Sequence, residues 1–130
     1  MEYVISFVAL SIIFGLIDAI WLKTMRPVYE KELHGLLRAK PRMVPAVIFY
    51  VVYVIGVVVF VIMPAVQANA WWQAGLMGAL FGVVAYATYD LTNLATLKNW
   101  SNKIAVLDII WGGVVTAVSS SIVAWIVSQW

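Results

Sequence analysis

Residues 43–89 contain no lysine, arginine, aspartate or glutamate. No soluble fold of this size tolerates such a stretch, because a soluble surface needs roughly a quarter to a third of its residues charged. Over the whole chain only 11% of residues are charged and 65% are hydrophobic, so the deficit is general. One membrane crossing takes about 20 apolar residues. The uncharged run therefore holds two crossings and a short turn, and the flanking apolar segments supply two more.

The expected fold is all-α: a single domain over 1–130 with four transmembrane helices at about 3–22, 44–64, 73–97 and 104–127. Span one stops at Lys23. Its start is not basic, and its apolar run is too long for the core of a signal peptide, so it reads as a retained span. Pro64 closes span two, and Trp71 and Trp72 mark the adjoining interface, where indoles concentrate. Span three carries Gly75, Gly78 and Gly82, a small-residue face that lets helices approach closely. Between spans one and two, Pro27 suits the first turn of a helix. Tyr29, Leu33, Leu36 and Leu37 then fall on one side, and Glu30, Lys31, His34 and Arg38 on the other. This pattern predicts a short amphipathic helix lying in the interface.

All eight lysines and arginines lie in two segments, 23–42 and 98–103, on the same side of this arrangement. Basic loops stay in the cytoplasm. Both termini are then expected outside, in a multi-pass protein of the inner (cytoplasmic) membrane.

Three acids fall inside the apolar segments: Asp18, Asp90 and Asp108. At about 1.5 Å per residue, Asp18 and Asp108 lie about 7–8 Å in from Lys23 and Lys103, and Asp90 about 12 Å in from Lys98. All three are expected in the cytoplasmic half of the bilayer. A carboxylate there is costly and needs partners, which makes it a functional-site candidate by default. Asp90 sits in the densest polar block of the chain, Tyr86-Ala87-Thr88-Tyr89-Asp90-Leu91-Thr92-Asn93. Tyr86, Tyr89, Thr92 and Asn93 are its nearest candidate binding groups. Tyr50 and Tyr53 of span two, and Trp21 and Trp111 beside the other acids, complete the set. Asp18 and Asp108 share the pattern Asp-x-Ile-Trp.

Several functions are excluded by what the chain lacks. Without cysteine there is no disulfide framework or thiol chemistry. One histidine, His34, forms no triad. No phosphate loop, zinc spacing or nucleotide fingerprint occurs, and the basic segment is too short and too close to the membrane for nucleic acid. Four readings of the acids stay open. They glue the bundle as a structural or accessory subunit. They bind or act on a lipid or other amphiphile reached from the cytoplasmic leaflet, and in an enzyme an Asp would serve as general base or metal ligand. They couple a proton or cation to transport, which predicts a homodimer with the span-three glycines as a contact. Or Asp18, Asp90 and Asp108 hold a hard metal such as Mg²⁺ or Ca²⁺. No cofactor is indicated. The expected partners are membrane lipids and a possible second copy.

Asp18, Trp21, Tyr29, Phe49-Tyr50, Tyr53, the block from Tyr86 to Leu97, Trp100, Asp108, Trp111 and Gly112 together resemble the DUF2177 family of small bacterial membrane proteins. The resemblance implies a four-span inner-membrane protein over nearly the whole chain. It implies no activity, substrate or cofactor.

Overall fold

The computed structural model describes residues 1–130. It contains four long helices and no strands: α1 (Glu2–Glu32), α2 (Met43–Gln67), α3 (Gln73–Thr96) and α4 (Asn102–Ser128). Each is long and apolar enough to cross a membrane. On α1 the row Val4, Val8, Ile12, Leu16 and Ile20 is exposed at every position, while Ser6, Leu10 and Phe14 are buried. Large apolar side chains are exposed on all four helices. Water would not tolerate so continuous an apolar surface, whereas lipid matches it. The protein is a multi-pass, all-helical membrane protein.

Two helix boundaries differ from the sequence expectation, and both involve proline. α1 does not stop at Lys23; it runs through Pro27 to Glu32. The separate interfacial helix does not form, and residues 33–42 are turns and extended chain. Pro27 removes a single N–H, the one that would reach the exposed Lys23 carbonyl region, where water can replace it. Contacts to α4 hold the extra turns: the Tyr29 hydroxyl reaches Asp108 at 2.9 Å, and Glu32 accepts from Ser101 at 3.2 Å. In α2 the helix continues past Pro64 to Gln67, because a π turn over Val58–Ile62 precedes it. The Met63 N–H bonds back to the Val58 carbonyl, a five-residue step. That widened turn shifts the hydrogen-bond register just before the residue that cannot donate.

α4 is the centre of the bundle and touches the other three helices. Its tightest partner is α3. A Cβ on Gly78 would stand 2.9 Å from the Thr116 carbonyl oxygen, a Cβ on Gly82 would collide with the Gly112 carbonyl, and one on Gly112 would collide with the Tyr86 ring. The glycine face of span three is therefore occupied within the chain by α4. It is not available as a contact for a second copy.

Leu10, Val54, Val57, Ile62, Val115 and Val123 form the dry core. An aromatic layer sits beside it. Phe14 meets Tyr50 edge-on at 5.5 Å and Tyr53 at 5.4 Å, and Tyr53 meets Phe81 at 5.6 Å. The two loops carrying the basic residues lie together at one end of the bundle, where they line a common cleft.

Candidate functional site: an acid-floored cleft at the basic end

The acids are joined by indoles and a phenol. Asp18, on α1, accepts a hydrogen bond from Trp111 Nε1 of α4 at 3.0 Å. The Trp111 ring stacks on Trp21 with centroids 4.2 Å apart and planes within 5°. Trp21 Nε1 donates to the Tyr29 hydroxyl at 3.1 Å, and that hydroxyl donates to Asp108 Oδ1 at 2.9 Å. Local structure sets this up. Helical side chains lean toward the N-terminus, so Tyr29 reaches back along α1 to Trp21 and across to Asp108. Each indole N–H and the phenol O–H thus finds an acceptor, as half-buried aromatic polar groups require.

Asp90 is different. It is fully buried on α3, and no protein donor reaches either of its oxygens. The polar groups that face it are the Asp108 carboxylate and the Trp100 indole. Trp100 Nε1 is also buried without an acceptor. Trp100 is placed by the α3–α4 turn. The Leu97 N–H closes α3 on the Asn93 carbonyl at 2.8 Å, and Asn99 takes a left-handed φ of 66°, which asparagine tolerates better than most residues. Ser101 then caps α4 by accepting from the Ile104 N–H at 3.2 Å.

Above Asp108 lies an open cleft of about 1360 Å³. Arg26, Arg38, Lys40 and Arg42 form its cationic wall, with His34 among them. Tyr29, Tyr89, Trp100 and Asp108 form the opposite wall and floor. Arg26 is engaged by Glu30 at 2.8 Å and Lys103 lies 3.8 Å from Glu32. These are the ion pairs of the protein, so Arg38, Lys40 and Arg42 carry no carboxylate partner.

A family model described as a predicted membrane protein, DUF2177, matches residues 3–125. The chain belongs to the DUF2177 family. No curated protein and no solved structure matches it. The DUF2177 match reaches all four helices and covers every residue of the cleft and of the acid network.

Within this DUF2177 chain the candidate residues separate into groups. Asp18, Trp111, Trp21, Tyr29 and Asp108 lie along one connected line, and Asp90 faces its Asp108 end. Tyr89 lines the cleft, more than half exposed, edge-on to Trp100 at 5.7 Å, with Asn93 beside it. Tyr86 packs over Gly112 and edge-on to Tyr53 at 6.1 Å. Tyr50 and Tyr53 belong to the aromatic layer. The Tyr53 hydroxyl is hydrogen-bonded to Thr116 Oγ1 at 2.6 Å, and the Tyr50 hydroxyl fits against Gly15. Thr92 points away and bonds back to the Thr88 and Tyr89 carbonyls at 2.5 and 3.0 Å, as threonine does on an exposed helix face. No three histidine or carboxylate side chains converge as a metal-ligand group, so Asp18, Asp90 and Asp108 do not form a three-ligand set. Tyr29, Trp100 and the cleft cations Arg26, Arg38, Lys40 and Arg42 are the site residues the sequence reading left out.

Proposed function

We propose that this DUF2177 protein binds the polar head of a phosphate-bearing membrane amphiphile in the cleft at its basic end. The observation that carries the reading is the cleft wall. Arg38, Lys40 and Arg42 face one cavity without carboxylate partners, at the end of a bundle whose sides are apolar. Arginine forks match phosphate oxygens bidentately. Lipid alongside the helices would keep its chains in hydrocarbon while its head enters the cleft.

In this reading the basic loops face the cytoplasm and both termini lie outside, in the inner membrane, as the one-sided distribution of positive charge favours. A transport reading has less support. Leu10, Val54, Val57, Ile62 and Val115 are at most 0% exposed, and they fill the space between the helices beyond the aromatic layer, where a pathway would have to run. The test is electron paramagnetic resonance on the protein in phosphatidylcholine bilayers doped with spin-labelled phosphatidylglycerol. The reading predicts a motionally restricted lipid fraction that falls severalfold in Arg38→Ala/Arg42→Ala. An unchanged fraction would overturn it.

A further inference from the structure

We propose that Asp90 and Asp108 form a recognition site for a primary ammonium group, so that the cleft takes a zwitterionic head carrying both phosphate and amine. This rests on the head-group reading above and adds the second half of the ligand.

Asp90 is buried to 0% exposure and neither oxygen is within bonding geometry of a protein donor; the one donor that faces it is the Trp100 indole N–H, itself without an acceptor. A buried acceptor without a donor is costly, and a carboxylate far more so. Tyr29 uses only Oδ1 of Asp108, so Oδ2 remains. Neither acid has a lysine or arginine partner, because the ion pairs of the chain are Arg26–Glu30 and Lys103–Glu32. The cleft thus presents Asp108 on its floor, with Asp90 buried directly behind it, and unpaired cations on its wall. An ammonium group offers three N–H donors, and three carboxylate oxygens await them: two on Asp90 and one on Asp108. A divalent cation fits less well, since it asks for six or more oxygens and no third acidic side chain joins the pair. A quaternary ammonium has no N–H to give. The rival account is a proton on Asp90 donated to Asp108, which needs no ligand.

The experiment is native mass spectrometry of the full chain in detergent, titrated with phosphatidylethanolamine, phosphatidylcholine and phosphatidylglycerol of identical acyl chains. The wild type is expected to prefer phosphatidylethanolamine over both others by about tenfold or more, the worth of one charge-assisted hydrogen bond. Asp90→Asn copies the shape of a protonated acid. It is expected to bring the ethanolamine-to-glycerol ratio to about one. Equal binding of ethanolamine and glycerol lipids by the wild type overturns the ammonium site, as does a preference that survives Asp90→Asn, the result the shared proton predicts. Equal or tighter choline binding overturns the need for N–H donors. Failure of the underlying head-group reading looks different: none of the three lipids binds, or Arg38→Ala/Arg42→Ala leaves all three unaffected. Displacement of bound lipid by free O-phosphoethanolamine at equal concentration supports the head chemistry and assigns it to a soluble ligand, overturning the lipid as its source.

Discussion

Tyr29→Phe removes one oxygen and should cost more than any other single-atom change at this end of the bundle. The hydroxyl accepts from Trp21 Nε1 at 3.1 Å and donates to Asp108 Oδ1 at 2.9 Å. Its loss deletes two hydrogen bonds and strands a donor on one helix and an acceptor on another. Leaving a buried group unsatisfied costs about 1–3 kcal/mol. Both sites are only partly buried, which places each at the lower end, so the sum is about 2–3 kcal/mol. The ring itself stays, so no cavity opens. The assay is reversible unfolding in mixed micelles, followed by tryptophan fluorescence. A double-mutant cycle with Trp21→Phe separates the two bonds, with an expected coupling of about 1 kcal/mol. A loss below about 0.5 kcal/mol would refute the reasoning, because it would mean the Trp21–Tyr29–Asp108 line is not made in the folded protein.

Other perturbations follow from the same geometry. Asp90→Asn should leave stability unchanged or raise it by about 1 kcal/mol in lipid-free micelles, since it removes a buried carboxylate facing a second one; thermal unfolding checks this, and a clear loss would contradict it. Gly82→Ala and Gly112→Ala should each cost about 1–3 kcal/mol, because the added carbon meets the Gly112 carbonyl or the Tyr86 ring. Gly75→Ala should cost less, as its nearest obstacle is the Ser121 hydroxyl, a short side chain that can rotate away; the rank order in unfolding titrations is the test. Since the chain has no cysteine, single cysteines at Gly35 and Asn69 report topology directly. An impermeant maleimide added to intact cells should label Asn69→Cys and spare Gly35→Cys, and the reverse pattern would invert the orientation.

The spans were legible because lipid imposes a single requirement, uninterrupted apolar length, and hydropathy reads it. The central place of Asp90 was legible for the converse reason: a carboxylate amid apolar residues has few explanations. Pro27 and Pro64 misled because proline disfavours helix locally, while the outcome was decided elsewhere. Tyr29 and Glu32 anchor the end of α1 to α4, and a π turn carries α2 past Pro64. Tyr29 was lost from the site for the same reason, having been placed on a separate interfacial helix. Trp100 was hidden because its position depends on the φ of Asn99, which sequence does not reveal. The glycines of span three announced a close helix approach but not the partner, and α4 took that face.

The cationic wall and the acidic floor together bound one head-group site in the proposed function. A cryo-electron-microscopy map of the chain in nanodiscs containing phosphatidylethanolamine and phosphatidylglycerol tests it most directly. Head-group density is expected between Arg38, Arg42 and Asp108, with its inner end against Asp90. A map with Arg38 and Arg42 turned into solvent, and the Asp90 and Asp108 oxygens closed on each other with no head group near them, would contradict it.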